Sequence, residues 1–349
     1  MKTINDFLVV GRQVMIAIVA VIFVSCGVKT PVFMDTSAPE EATLNLVKIT
    51  DESSTTVLSG NFYDTTPNNY INSTYGVSLS NNISWVTISN LDISPDGSKI
   101  AYVSYMNNQR NVMVRSVKAG GTATQRTFRN VGSFSFGPDN KLYFSDINKT
   151  KNGSNAYICS VNANSGSIMH QHTNGFVYDE NPVMSDDGTT MFFVRRSGTG
   201  PSIWSLEEDG TLTLCAKGYN PTLVKGSNTS FYCVRNSSDG RSEIWFVDFV
   251  KGQESIVLSD NTRSFTNPRL SPDGKWLVCV GNSVSSISQK QNLDIYVVRT
   301  DGTNLTQLTY HPECDNCPVW SADGRYIYFI SRRANTNNKN NIWRMNFNQ

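Results

Sequence analysis

The sequence predicts an all-β protein assembled from repeated four-stranded antiparallel units, and three observations carry that prediction. Asn, Ser, Thr and Gly are plentiful, 17 Phe, 14 Tyr and 6 Trp stand among 349 residues, and long Ala/Leu/Glu/Lys helical patterns are missing. A strand–turn–strand unit, cleanest at 267–280 (NPRLSPDGKWLVCV), recurs along most of the chain. A second series of apolar strands follows each copy in constant phase.

The chain opens on different material. Lys2 and Arg12 bracket a modestly polar start, residues 14–24 are almost purely apolar, and Ser25-Cys26-Gly27 follows. A short apolar run ending at a small residue is an export signal, too short for a confident membrane span. Residues 1–25 are therefore expected to be a signal peptide, and residues 26–44, with their Pro, Ser, Thr and Glu, a flexible tether. The box Phe23-Val24-Ser25-Cys26 resembles the cleavage box of bacterial lipoproteins, which implies that Cys26 becomes the lipidated first residue of the mature protein. The alternative is an ordinary signal peptide, or an uncleaved anchor, with Cys26 incidental.

The repeated units start at Leu91 (LDISPDGSKIAYVS), Phe134 (FSFGPDNKLYFSD), Asn181 (NPVMSDDGTTMFFVRR), Asn220 (NPTLVKGSNTSFYCVR), Asn267 and Cys317 (CPVWSADGRYIYFISRR). Pro presets one turn angle and Gly accepts positive φ, so each unit reads as strand, tight turn, strand. The turn residues Gly97, Asn140, Gly188, Gly226, Gly274 and Gly324 are 43, 48, 38, 48 and 50 residues apart, near the period of propeller blades. Downstream lie NVMVRSV from Asn111, AYICSV from Ala156, SIWSLE from Ser202, EIWFVDF from Glu243, DIYVVRT from Asp294 and NIWRMNF from Asn341. Gly turns and a fourth apolar–polar strand follow, as at 212–216 and 305–309. Each unit is thus one blade of strands A to D, spanning about 91–130, 131–175, 181–216, 220–258, 267–310 and 317–349 within a domain of 45–349: a six-bladed β-propeller. The sixth unit reaches Gln349 with its third strand. Residues 83–88 (ISWVTI) are expected to pair with 342–347, supply the fourth and close the ring, which removes exposed sheet edges. The strand-like stretches 46–50 and 57–63 find no place in this count.

The Ser-Pro-Asp-Gly unit, with Ile-Trp and Ile-Tyr strands downstream, resembles the WD40-like (PD40) repeat of the TolB-type β-propellers over about 90–349. That resemblance implies the fold. It leaves function wide, because such propellers serve as periplasmic protein-binding components, as non-catalytic parts of serine peptidases and in pectin-degrading lyases. Pro138-Asp139-Asn140 and Lys225-Gly226-Ser227 depart from the turn pattern.

A net charge of +1 gives no bulk electrostatic case for nucleic acid. Charge is expected to divide by face instead. The B-to-C connections hold eleven basic residues, among them Arg195, Arg196, Arg235, Arg241, Arg332 and Arg333, against two acidic ones, Asp146 and Asp239. The A-to-B turns are acidic, with Asp96, Asp139, Asp186, Asp187, Asp273 and Asp323. Either the basic face steers an acidic partner, or these are solvated loop residues and the aspartates serve turn chemistry. Asn90, Asn181, Asn220 and Asn267 stand just before A strands and by phase ring one mouth of the channel, either as turn caps or as amides for a polar ligand. Cys317 takes that slot in the sixth unit.

Cys233 and Cys279 fall in the B-strand slot held elsewhere by Tyr102, Phe193 and Phe329 and read as core. Cys314 and Cys317 form the only close pair, CDNC. In an exported chain it reads as a local disulfide rather than a zinc site, which lacks its second Cys pair and has only His311 nearby. The histidines, His170, His172 and His311, lie outside the predicted A strands, so the channel-histidine chemistry of metal-dependent propeller lyases is not supported. No G-x-S-x-G elbow is present. The expectation is a non-enzymatic binding or scaffold lipoprotein of the bacterial cell envelope, needing no metal or cofactor and touching the membrane through its lipid alone. It would sit on the periplasmic side of the outer membrane and engage envelope proteins, acidic ones among them, through a propeller loop face. The alternative is binding or lyase-type processing of an anionic polysaccharide at the basic face.

Overall fold

The same few bonds close the A-to-B turns. In the computed structural model, Gly97 N–H donates to Ser94 O (2.8 Å) and Ser94 N–H to Lys99 O (2.9 Å). Ser94 Oγ donates to Asp96 Oδ1 at 2.5 Å, and Asp96 also accepts the Ser98 N–H. Ser185–Asp187, Ser271–Asp273 and Ser321–Asp323 repeat the hydroxyl–carboxylate bond at 2.6 Å. The aspartates are thus turn chemistry, and the Ser94 hydroxyl, then the Ser98 groups, hold the Asp96 carboxyl down at about 2. The two departing units turn in the same place, Asn140 accepting φ 60° and Gly226 φ 71°.

The structure describes residues 41, 43–50, 56–57, 91–106, 109–150, 153–167, 169–284, 291–333 and 340–348. Cys26, Asn90 and the stretches 1–40 and 83–88 lie outside them. No α-helix occurs among the described residues. Strands β1 (Val47–Lys48) and β2 (Thr56–Val57) precede the repeats. The first series is β3 (Leu91–Ile93), β4 (Lys99–Met106), β5 (Gln109–Ser116) and β6 (Thr124–Gln125). The second is β7 (Val131–Phe136), β8 (Lys141–Thr150), β9 (Gly153–Asn162) and β10 (His170–Gln171). The third is β11 (Tyr178–Met184), β12 (Thr190–Ser197), β13 (Gly200–Glu207) and β14 (Leu212–Lys217). Next come β15 (Tyr219–Leu223), β16 (Ser230–Asn236), β17 (Ser242–Asp248) and β18 (Gln253–Leu258), then β19 (Phe265–Leu270), β20 (Trp276–Val284), β21 (Gln291–Arg299) and β22 (Thr306–Gln307). The chain ends on β23 (Asp315–Trp320), β24 (Tyr326–Ser331) and β25 (Asn341–Asn346).

Within each series, consecutive strands pair antiparallel. A single parallel bridge, Tyr178 to Ala156, joins the second and third series into one sheet. The leading strands β3, β7, β11, β15, β19 and β23 lie each against the next, and β23 lies against β3. Cores form between neighbouring sheets. Trp276, Trp320, Phe329 and Trp343 fill one of them, and Phe192, Phe231 and Cys233 another. Cys233 and Cys279 are fully buried among apolar side chains, as their slot requires.

Leading strands begin earlier than the sequence suggests, and each of Asn181, Asn220 and Asn267 sits inside one, at a β-bulge. Asn181-Pro182 oppose the single residue Phe193, Asn220-Pro221 oppose Cys233, Asn267-Pro268 oppose Cys279 and Cys317-Pro318 oppose Phe329. The first bulge residue is left-handed in all four (φ 49–54°). Asn tolerates that region better than most side chains, and Pro has no N–H to leave unpaired in the ladder.

Strand β25 does not take its outer partner from 83–88. That edge is held by β1, with Val47 opposite Arg344 and Lys48 opposite Trp343. Residues 44–50 fit the place because they are apolar on both faces. Leu44 and Leu46 pack on the tryptophan core, while Val47 and Ile49 pack on the core of Tyr102, Tyr328, Ile330 and Ile342. Thr50 Oγ1 bonds Asn341 Oδ1 and accepts the Ile342 N–H, both at 2.9 Å. Glu41 and residues 43–44, expected in the tether, belong to the fold, Glu41 being buried.

Candidate functional site

Two loop sets lie at opposite ends of the strands. D-to-A and B-to-C connections share one end, and A-to-B turns share the other, because A and B run antiparallel. The six arginines predicted for the first end all have carboxylate partners. Arg195 forks onto buried Asp179 (2.8 and 3.0 Å) and stacks on Trp204; Arg196 donates to buried Glu180 (2.6 Å). Arg235 forks onto Glu254 (2.8 and 2.7 Å), Arg332 meets Glu313 (2.8 Å) and Arg241 pairs with Asp239. Arg333 cannot meet a partner protein at all. It is 3% exposed, held by Glu41 (3.0 and 3.2 Å) and Asp315. Burial pushes the Asp315 and Glu180 carboxyls up, against the pull of Arg333 and Arg196 respectively. For three of the six, Arg195, Arg196 and Arg333, an acid comes from the adjacent leading strand, which a count restricted to loops leaves out.

The asparagines turn toward one another. Asn181 Nδ2 donates to Asn220 Oδ1, Asn220 Nδ2 to Asn267 Oδ1 (2.5 Å) and Asn267 Nδ2 to Asn316 Oδ1 (3.4 Å). Asn181 N–H donates to Ser133 Oγ (2.6 Å), extending the chain of bonds into the second series. The hollow beside them holds about 20 Å³, room for about one water. These three amides therefore form a structural ladder across blades, and Asn316 supplies the amide where Cys317 stands in the bulge.

At the opposite end a recess of about 430 Å³ is lined by Asp92, Asp186, Lys225, Arg269 and Trp320. Its polar groups tie turn to turn: Asp92 accepts the Phe136 N–H (2.7 Å), Asp186 the Gly226 N–H (2.7 Å), and Lys225 donates to Pro272 O (3.2 Å). Burial raises the Asp92 carboxyl, with Arg269 opposing.

Cys314 and Cys317 do not form the expected disulfide; both remain thiols. The bulge rotates Cys317 into the core of Tyr328 and Ile330, while Cys314 packs on the tryptophan core. Among the described residues no three His, Cys, Asp or Glu side chains gather as a metal site.

His172 packs edgewise on His170 and meets Ser160 Oγ (2.9 Å); His311 Nδ1 accepts the Glu313 N–H (3.0 Å). Burial, then the neighbouring cations His170 and Arg333, hold both at about 4. The folded value is the lower one, so the unfolded chain takes up protons first as pH falls, and these groups withdraw stability through that window. Between about pH 6.5 and 4 the wild type is expected to lose stability relative to a His172→Gln/His311→Gln variant. Thermal midpoints of both proteins across that range check it, and parallel curves would refute it.

Two exposed aromatic side chains stand out in the structure and not in the sequence. Phe128, between β6 and β7, is 72% exposed, and Phe176, between β10 and β11, is 83% exposed. They occupy the D-to-A connections of successive series, and the half-exposed Arg129 follows Phe128. A partial signal exists: Gln125 and Gln171 each donate to the carbonyl of the Thr two residues on (2.8 Å), ending the fourth strand shortly before the aromatic residue.

No family model matches the chain. A curated relative, "Uncharacterized peptidase YuxL" of Bacillus subtilis (strain 168), is 23% identical over 221 residues, 61% of this chain and 32% of that protein. The chain thus spans about a third of that relative's length. The crystal structure of TolB from Acinetobacter baumannii matches with a TM-score of 0.55 at 16% identity, over 72% of this chain and 64% of that one. Putative TolB from Agrobacterium tumefaciens matches with 0.53 at 17% identity, over 77% and 93%. The fold is that of the TolB-like β-propellers.

Proposed function

We propose that the chain is a six-bladed propeller closed by β1, carried on a lipid at Cys26 at the outer membrane, that binds other envelope proteins through its D-to-A and B-to-C loop face. The circuit of leading-strand contacts from β3 round to β23 and back supports the ring, and the likeness to TolB structures supports the fold behind it. The observation that carries the binding reading is the pair Phe128 and Phe176. Two largely exposed phenylalanines in the D-to-A connections of successive series, the first next in sequence to Arg129, have the make-up of an interface centre. Most of the arginines predicted here serve as paired, oriented rim groups, since charges already matched add specificity more than affinity.

The test is a Phe128→Ser/Phe176→Ser variant of the full chain, compared with wild type for co-purification of cross-linked envelope proteins. Loss of about tenfold or more in capture is expected, at an unchanged thermal midpoint, because neither ring is in a core. Undiminished capture by the double variant would overturn the reading.

A further inference from the structure

One cation stands where the other blades are apolar. Take the third-strand residue across from the second-strand residue that pairs with the end of each leading strand. In five series it is Val161, Leu206, Val247, Val298 and Met345. In the first series it is Arg115, reached through Ile93 and Ile100. Arg115 is 6% exposed. Its protein bonds are two long ones to carbonyls, Nε to Ser116 O (3.4 Å) and Nη2 to Lys118 O (3.3 Å). A guanidinium offers five N–H donors, and no carboxylate among the described residues pairs with this one. Arg333, comparably buried, has two.

Arg115 lines a cavity of about 480 Å³ between β1 and the turn after β5, together with Lys48, Thr50, Gly120 and Gly121. Among the described residues of that lining none is acidic. A Cβ at Gly121 would come within 3.4 Å of Arg115 Nη2, so glycine keeps the space beside the guanidinium clear. A buried cation facing a roomy hollow is a built receptor for a negative group, and guanidinium binds planar or tetrahedral oxyanions through paired N–H bonds. The volume exceeds what a bare anion needs and falls in the range of small-molecule pockets.

We propose that this cavity binds a small ligand through its oxyanion, a phosphate or a carboxylate, with Arg115 as the principal contact. The site lies away from the loop face and stands independently of it. The experiment is calorimetric titration of the full chain with glucose 6-phosphate, glucuronate and glucose, which share one body and differ in the charged group. Saturable binding of one or both anions is expected, without binding of glucose, and preference between the two identifies the oxyanion. Arg115→Met should weaken anion binding about tenfold or more. The same variant should fold with an unchanged or raised thermal midpoint, because Met345 fills the matching place in the last series. No anion binding at millimolar concentration, or binding undiminished in Arg115→Met, overturns the proposal. A marked fall in the midpoint with binding retained would assign Arg115 to structure alone.

Discussion

Replacing Arg333 with methionine should cost about 3–5 kcal/mol of stability, the largest effect expected of any single substitution on this face. The guanidinium pairs with both Glu41 and Asp315, which are buried, and its removal takes a bonded cation from two carboxylates at once. Glu41 Oε1 also accepts the Tyr310 N–H at 2.6 Å, so the loss propagates to the strand junction before β23. Urea unfolding at constant m-value measures it. The pH dependence has a defined sign. Burial already raises the Asp315 carboxyl, and without Arg333 it rises further. A group with a raised folded value favours the native state when protonated, so the variant's deficit should shrink on acidification and widen toward neutral pH. A deficit under about 1 kcal/mol at neutral pH would mean that the cluster is not a charged pair in the folded protein.

Asn220→Ala is the second large effect. The side chain both accepts from Asn181 and donates to Asn267, and its backbone is held at φ 49°. Alanine leaves two buried amide groups short of a partner, at about 1–3 kcal/mol each, and adds about 1 kcal/mol for the left-handed backbone. A total at the low end of that sum, about 3 kcal/mol, is expected. Asn220→Gly removes the same bonds but not the backbone compatibility, and should recover about 1 kcal/mol of it. Thermal denaturation of the two variants separates the terms. Equal midpoints for Ala and Gly would remove backbone strain from the account, and a near-native midpoint for both would dismiss the ladder as a source of stability.

The features legible in the sequence are those that local chemistry determines. Ser94, Asp96 and Gly97 make their bonds within five residues, so the hairpin is visible in any one copy, and recurrence gives the sheet series. Phase alone assigns Cys233 and Cys279 to the core. The failures are all matters of long separation or of one residue of register. The partner of β25 lies some three hundred positions away, and its two-residue length carries no periodic signal. Asp179 and Glu180 neutralise Arg195 and Arg196 only because a hairpin brings the strands together, Asp179 opposite Arg195 and Glu180 diagonal to Arg196. The Cys314–Cys317 spacing suggests a bridge, but a bulge adds a residue, turns the side chains beyond it and puts the two sulfurs in separate cores. The asparagine ladder needs the same bulges, since an unbroken strand would aim those amides elsewhere.

The clasp between Val47–Lys48 and β25 also sets an order of events. A ribosome makes residue 47 long before residue 344, so the first element of the clasp must wait for nearly the whole chain to emerge. Through that interval the earlier series can form their hairpins, while the seam between first and last stays open. Once shut, the seam is also where tension arrives. A pull on the chain ahead of Glu41 reaches the Glu41–Arg333 contact and then a strand of two residues before it reaches any longer sheet. Under force the molecule should therefore part at that seam first, with the interior hairpins still intact.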